Sequence, residues 1–208
     1  MVWISNIMNK FGYWGISFLI FLENVFPPIP SEVVLTFAGF SVTLEGSKIT
    51  ILGSIIAATI GSVLGAIVLY LIGTLITPKT LKKWLGNKYV KILGFKEQDV
   101  DKTVTFFDKW GYLAVLLGRC VPIIRSLISI PAGMFKMNII KFIFYTTIGS
   151  LVWNTVLIKL GAYFGSNWEI VVNYVKNYSY VVLVLLIIIF SIMIILKQKK
   201  KRLGKKDK

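Results

Sequence analysis

The stretch ENVFPPIPSE at residues 23–32 places two carboxylates around three prolines, inside sequence that is otherwise apolar. A second stretch, GRCVPIIRS at 118–126, places two arginines around a proline. Each is flanked by about ten apolar residues, roughly half of what a helix needs to cross a bilayer. Prolines break helices, and backbone freed in this way is tolerated at membrane depth only where protein or water covers it. The pattern therefore predicts two re-entrant helical hairpins.

The composition of the chain excludes a soluble domain. Of 208 residues, 56% are hydrophobic and only 16% are charged, with a mean hydropathy of +0.75. Residues 49–77 and 177–196 contain no charge, and residues 139–165 contain only two lysines. Each of these three segments is long enough to span a bilayer. The single cysteine, Cys120, excludes an internal disulfide, and without histidine we expect neither a metal site nor a cofactor.

The net charge of +15 is concentrated next to the apolar segments. Eight of the 24 basic residues lie in the terminal run 197–208, and another eight lie between 79 and 109. Basic loops beside spans stay in the cytoplasm and contact anionic lipid heads. Nucleic acid is not an expected partner, because neither run has aromatic residues interleaved at a stacking spacing. We therefore expect a multi-pass membrane protein with its C-terminus in the cytoplasm.

The order of segments predicts one membrane domain over 1–196, followed by a basic cytoplasmic tail at 197–208. The membrane domain comprises a hairpin at 12–44, a span at 49–77, a cytoplasmic amphipathic segment at 78–109, a hairpin at 111–136, and spans at 139–165 and 177–196. Residues 1–11 are expected to form a short interfacial helix. The positive-inside pattern makes the two hairpins enter the membrane from opposite faces.

Short internal matches indicate a repeat. The tetrapeptide TIGS occurs at 59–62 and 147–150, PI occurs at 28–29 and 122–123, and AG occurs at 38–39 and 132–133. Chance similarity between glycine-rich apolar segments is the alternative. The preserved order favours an all-α membrane protein with two inverted-topology repeats, each a hairpin plus a span, followed by a C-terminal span.

Four ionisable residues lie inside the predicted hairpins, and their formal charges cancel. Arg119 and Arg125 present donors that match phosphate oxygens, and they are the predicted headgroup-binding residues. Glu23 and Glu32 are the predicted residues for proton or ion coupling, with Asn24 as a hydrogen-bond partner. The alternative is that the four charges only pair and hold the fold.

Two further sets of residues accompany these charges. Pro27, Pro28, Pro30 and Pro122 are the predicted helix breaks. Trp153 and Asn154 place polar groups at bilayer depth in the third span. They either contact the substrate or hold two helices together, and the residues alone leave both options open.

The motifs ENVFPPIPSE and GRCVPIIRSLISIPAGMFKM, together with Trp153-Asn154, resemble the bacterial DedA family, whose VTT domain also occurs in eukaryotic lipid scramblases. The resemblance covers almost the whole chain and implies a lipid transporter. Together with the positive-inside pattern, it implies the bacterial cytoplasmic (inner) membrane as the location. Some members return undecaprenyl phosphate across the membrane, and others have been linked to phosphatidylethanolamine. The family's acidic and basic positions carry over to Glu23, Glu32, Arg119 and Arg125. The position of Glu32 departs most, since other members often have aspartate at a longer spacing.

The leading hypothesis is a flippase for undecaprenyl phosphate that recycles the carrier lipid and is not an enzyme. A phosphatidylethanolamine flippase and a nonspecific scramblase are the alternatives. A membrane phosphatase is disfavoured, because the chain has no histidine and Cys120 lacks a phosphate-loop pattern. The sequence leaves the oligomeric state open, a homodimer included.

Overall fold

The computed structural model describes residues 2–26, 31–76, 97–122 and 124–203, and all regular elements in these ranges are helical. The helices are α1 (Val2–Phe11), α2 (Tyr13–Val25), α3 (Ser31–Val42), α4 (Ile51–Leu75), α5 (Glu97–Gly118), α6 (Ile124–Leu127), α7 (Ser129–Met134), α8 (Ile139–Phe164) and α9 (Trp168–Leu203), with a 3-10 turn at Gly165–Asn167. The absence of strands within the described ranges agrees with the all-α fold class predicted from the sequence.

The two long apolar helices begin at capping residues. The Thr50 hydroxyl accepts a hydrogen bond from the Gly53 amide (3.1 Å) at the start of α4. The Asn138 side chain accepts from the amides of Ile140 (3.0 Å) and Lys141 (3.2 Å) at the start of α8. Each cap satisfies amides that have no partner within the helix, and so fixes where the helix begins.

The burial pattern of α4 is the reverse of that of a surface helix in water. Its exposed side carries large apolar residues four positions apart: Leu52, Ile56, Ile60 and Leu64. Its buried side carries small and polar residues, including Ser54, Gly61, Ser62 and Gly65. A continuous exposed apolar stripe opposite a small-residue face is typical of a helix that packs in lipid.

Two helical segments are long and apolar enough to cross a membrane: Ile51–Leu75 and Ile139–Val184. The second comprises α8, the 3-10 turn and the first part of α9. The 25 residues of α4 extend over about 37 Å at ~1.5 Å per residue, against about 30 Å for the hydrocarbon core. The apolar helices α2 and α3 have only 13 and 12 residues, and each is too short to cross alone.

Two close crossings bind the short helices to the long ones. Where α3 crosses α8, a Cβ on Gly39 would meet the Ile158 carbonyl, and one on Gly161 would meet the Thr36 carbonyl. A second crossing joins α7 to α4. There, a Cβ on Gly133 would meet the Tyr70 carbonyl, and one on Gly73 would meet the Ile130 carbonyl. In both places the backbones touch, so only glycine fits without movement of the helices.

The helix bounds refine the segments predicted from the sequence. Helices α2 and α3 occupy the predicted hairpin at 12–44, and the connection at 27–30 lies outside the described residues. Helix α5 runs continuously through the boundary expected between 78–109 and 111–136. Helix α9 begins at Trp168, ahead of the expected span at 177–196, and continues into the basic tail. The segments 77–96 and 204–208 lie outside the described residues.

Candidate functional site

The end of α2 meets the chain that follows α5, and buried polar side chains from both sides converge there. Helix α2 supplies Glu23 and Asn24, the turn after α5 supplies Arg119, α6 supplies Arg125 and Ser126, and α7 supplies Ser129. All six are buried, although they lie among apolar helices. Buried polar groups of this kind are costly unless they are bonded to one another or serve a ligand.

Arg125 is neutralised by an ion pair. Its Nη2 atom lies 2.5 Å from Oε2 of Glu23, and both side chains are buried. The pair links residues 102 positions apart, so it joins the end of α2 to α6. Removing either partner would leave an uncompensated charge in a site from which water is largely excluded.

Arg119 has a different environment, with only neutral partners. It donates from Nη1 to Oδ1 of Asn24 (3.2 Å) and from Nη2 to Oγ of Ser129 (2.8 Å). Its side chain is 2% exposed, and no described acidic residue forms an ion pair with it. Arg119 therefore keeps a buried positive charge that no direct ion pair cancels.

Donor capacity is left over at both arginines. The Nε atoms of Arg119 and Arg125 are buried and have no hydrogen-bond partner among the described residues. A guanidinium presents five N–H donors in a fixed plane, and phosphate oxygens match this geometry. The cluster therefore contains unpaired guanidinium donors from two arginines, which are of the kind that bind anionic groups.

Glycines on the two long helices create the room for this cluster. A Cβ on Gly149 of α8 would lie 2.7 Å from Cβ of Arg119. A Cβ on Gly65 of α4 would lie 2.6 Å from Cβ of Asn24. Contact with the polar cluster distinguishes these two glycines from those at the helix crossings, which face backbone carbonyls.

Asn24 bonds to a different partner than expected. The sequence suggested a hydrogen bond to the neighbouring glutamates, but the Asn24 amide donates to the Ile20 carbonyl (3.1 Å) and its Oδ1 accepts from Arg119. The Ser126 hydroxyl also lies 3.5 Å from the same Oδ1. Asn24, Ser126 and Ser129 thus complete the cluster, and sequence reasoning had assigned no role to the two serines.

Glu32 lies at the first turn of α3 and is buried, with 8% exposure. Within the described part of the chain its carboxylate forms no ion pair and no hydrogen bond. Its backbone carbonyl does accept a hydrogen bond, from the Thr36 hydroxyl one turn later on α3 (2.5 Å). The two predicted glutamates therefore differ: Glu23 forms an ion pair, whereas Glu32 forms none with the residues that the structure describes.

Asn154 lies at a second, neutral junction. Its Nδ2 donates to the Thr59 hydroxyl (3.2 Å) and so connects α8 to α4, while its buried Oδ1 has no partner in the described part of the chain. The same holds for the indole N–H of Trp153, which is buried and has no partner within the described ranges. Among the described contacts, neither residue hydrogen-bonds to Glu23 or to the arginines.

Of the predicted helix breaks, only Pro122 can be placed. It is buried in the turn between α5 and α6, and its carbonyl accepts from the Ile124 amide (2.8 Å). Pro27, Pro28 and Pro30 lie outside the described residues. Pro122 lies between Arg119 and Arg125, which bond to the adjacent α2 residues Asn24 and Glu23, respectively.

Comparison with known proteins assigns the chain to a family. The VTT domain matches residues 29–163, which contain most of the helices described above. The chain belongs to the VTT-domain (DedA) family. This assignment confirms the resemblance inferred from the motifs, and it identifies the chain as a membrane protein of that family.

Curated relatives extend this match over most of the chain. An alkaline phosphatase-like protein of Lactococcus lactis subsp. lactis is 50% identical over 87% of this chain and 84% of its own length. Undecaprenyl phosphate transporter A of Staphylococcus aureus is 37% identical over 87% of this chain and 89% of its own length. Protein DedA of Escherichia coli K12 is 32% identical over 79% of this chain and 75% of its own length. No solved structure matches the chain.

Proposed function

We propose that this protein is a flippase that moves a lipid phosphate, undecaprenyl phosphate, across the bacterial cytoplasmic membrane. The observation that carries the proposal is Arg119, a fully buried cation whose hydrogen-bond partners are all neutral. A buried charge of this kind is costly in an apolar surrounding. A phosphate headgroup supplies the missing counter-charge, and the unbonded Nε atoms of both arginines supply donors for it.

The relatives support a lipid phosphate over a neutral headgroup. One of them, in Staphylococcus aureus, is named undecaprenyl phosphate transporter A, and a Bacillus subtilis relative with the same name is 33% identical over 88% of this chain. A zwitterionic headgroup such as that of phosphatidylethanolamine carries its own ammonium, which Arg119 would repel. The charge of the site therefore favours the phosphate monoester.

The proposal includes two re-entrant hairpins arranged as inverted repeats. The two glycine crossings support this arrangement, because each joins a short helix of one half to the long helix of the other: α3 crosses α8, and α7 crosses α4. The positions involved correspond to the sequence matches, since Gly39 and Gly133 both belong to the repeated AG dipeptide. Broken helices from two inverted repeats that meet near the midplane are typical of secondary transporters.

The orientation in this proposal follows the positive-inside rule. The basic residues at 79–109 and 197–208 lie in the cytoplasm, and the C-terminus with them. The ends of the molecule where α2 and α4 begin then face the outside. In this arrangement the cluster around Arg119 is reached from one face at a time as the hairpins move.

Glu32 is the better placed of the two glutamates for coupling to an ion or proton. Glu23 is held by Arg125, whereas the Glu32 carboxylate has no bonded partner among the described residues. We expect Glu32→Gln to remove the dependence of lipid movement on an ion gradient. Exchange measured without a gradient should stay within about threefold of the wild type. Loss of gradient-free exchange would assign Glu32 to the substrate path instead.

The proposed activity is transport without hydrolysis. One relative is named alkaline phosphatase-like, so release of phosphate from the lipid needs a direct test. The chain has no histidine, and the described residues contain no group of three acidic or thiol side chains suited to a metal. Purified protein that releases inorganic phosphate from undecaprenyl phosphate would replace the transport proposal with an enzymatic one.

The decisive experiment measures transbilayer movement of labelled undecaprenyl phosphate and labelled phosphatidylethanolamine in proteoliposomes. The proteins are the wild type, Arg119→Gln, and Lys159→Gln as a matched control that removes an exposed cation from α8. We expect selective movement of the phosphate lipid, lost in Arg119→Gln and retained in the control. Equal movement of both lipids by all three proteins would indicate a nonspecific scramblase with structural charges.

A further inference from the structure

A cavity of about 650 Å³ opens at the end of the molecule where α2 and α4 begin. One wall is the junction of α1 and α2, and the other is the loop that joins α3 to α4. Tyr13 holds the two walls together, because its hydroxyl accepts from the Thr50 amide (2.9 Å) and lies 3.2 Å from the Thr50 hydroxyl. These contacts fix the two walls relative to each other. None of the residues that line the cavity belongs to the cluster at Arg119.

The charge at the rim of this cavity is positive. Lys10 and Lys48 line it, with Glu45 as its acidic residue. All three are exposed, and none of them forms an ion pair within the described part of the chain. The Lys10 ammonium lies 5.6 Å from the ring centroid of Phe11, which places this charge beside an apolar surface.

The same cavity offers apolar contacts of a kind that a soluble anion does not need. Trp14 is 83% exposed and Phe11 is 54% exposed, and both line it. Aromatic residues at the membrane interface have one side in the lipid and one in the headgroup layer. Lysines beside exposed aromatic rings match an amphiphile with an anionic head and an apolar chain.

We propose that this cavity binds the phosphate headgroup of a single lipid before the headgroup reaches Arg119. The inference deepens the proposed flippase function and rests on it for the direction of movement. Helix α2 connects the two sites, since Tyr13 lies at the cavity and Glu23 at the cluster. Glu23 lies ten positions after Tyr13, which corresponds to a rise of about 15 Å at ~1.5 Å per residue. In the proposed orientation the cavity faces the outside, where the lipid is collected.

The test labels the bound lipid in place. The probe is a farnesyl phosphate analogue with a photoreactive group near its head, added to the full-length protein in phosphatidylcholine vesicles. We expect peptides that contain residues 8–14 and 41–49 to be labelled. Each lysine near a membrane surface contributes about a fivefold factor in affinity, so Lys10→Gln/Lys48→Gln should lower this labelling at least about fivefold. The control Lys159→Gln/Lys176→Gln removes two exposed charges elsewhere and should leave it unchanged.

Two further labelling experiments identify the ligand. A farnesol analogue without the phosphate should label these peptides weakly, because the lysines then have no anion to bind. Inorganic phosphate in excess should compete poorly, because it lacks the chain that contacts Phe11 and Trp14. Efficient competition by inorganic phosphate would overturn the assignment to a lipid. Equal labelling by the alcohol would overturn the assignment to a phosphate.

Transport measured on the same proteins separates this inference from the proposed function. We expect the double lysine variant to need about fivefold more undecaprenyl phosphate for half-maximal movement, with the maximal rate retained. Unchanged labelling and an unchanged half-maximal concentration in that variant would refute the cavity site while the flippase function stands. Labelling of the cavity by a wild-type protein that moves no lipid would refute the flippase function instead.

Discussion

The two halves of this membrane domain pack alike but carry opposite charges. In the first half α2 lies against α4 and α3 crosses α8, and in the second half α5 lies against α8 and α7 crosses α4. The first half supplies the buried acids Glu23 and Glu32, and the second supplies the buried bases Arg119 and Arg125. The two halves therefore share the pattern of helix contacts and differ in the charge that they bury, and the proposed anion site depends on this difference.

A correspondence between Asn24 and Arg119 makes this difference concrete. Each packs its Cβ against a glycine of the neighbouring long helix, Gly65 and Gly149 respectively, and the two side chains bond to each other. The first half places a neutral amide at this contact, whereas the second places a guanidinium. The resulting charge is uncancelled by any ion pair among the described residues, while the charge of Arg125 is cancelled by Glu23.

The largest expected effect comes from breaking the neutralised pair on one side only. Arg125→Met leaves the Glu23 carboxylate buried without a partner, which we expect to cost about 3–5 kcal/mol of stability. The double variant Glu23→Gln/Arg125→Met removes both charges and should recover most of this loss. The measurement is the unfolding midpoint in detergent. A double variant as unstable as Arg125→Met would show that the pair contributes more than mutual neutralisation.

The next effect separates the two arginines by function. In gradient-free exchange of undecaprenyl phosphate, we expect Arg119→Met to lower the rate about 100-fold, because truncating a buried charge that pairs with a ligand costs about 2–5 kcal/mol. Glu23→Gln/Arg125→Met should stay within about tenfold of the wild type, since it removes no net charge. The reverse order of the two rates would place the headgroup on Arg125, as a ligand that displaces Glu23.

A smaller effect tests the shared packing. Gly39→Ala and Gly133→Ala each put a methyl group against facing backbone, and overpacking of this kind costs about 1–3 kcal/mol. Because the two crossings are reciprocal, we expect similar losses in unfolding midpoint. Ile60→Ala, on the exposed side of α4, is the control and should change little. A loss confined to one of the two glycines would contradict equivalent roles for the two crossings.

Much of this organisation is readable from the sequence, for identifiable reasons. Hydropathy and length located α4 and α8, and the proline-and-charge motifs located Glu23, Arg119 and Arg125, because membrane depth restricts both composition and backbone. The pairing of Glu23 with Arg125 could not be read in the same way. It joins residues 102 positions apart, and which arginine faces the glutamate depends on how the turn after α5 and α6 are placed relative to the end of α2. The serines of the cluster were missed because a lone serine in an apolar segment has no distinguishing pattern.

The smallest expected effect concerns the neutral junction between the long helices, where the sequence left two roles open for Asn154. Thr59→Val removes the acceptor of its hydrogen bond but keeps the unpartnered Oδ1, whereas Asn154→Ala removes both. A hydrogen bond between membrane helices contributes about 0.6 kcal/mol on average, so both variants should lose similar, small amounts of stability. If Oδ1 also accepts a bond from the P–OH group of a singly ionised lipid phosphate, only Asn154→Ala should slow undecaprenyl phosphate movement, by about fivefold. We expect the two variants to lose similar stability and only Asn154→Ala to slow lipid movement. The reason is that a buried amide oxygen without a partner among the described residues is costly unless a ligand bonds to it. Equal rates of lipid movement in the two variants would show that Asn154 only packs the helices, and Arg119 would then be the main headgroup-binding residue.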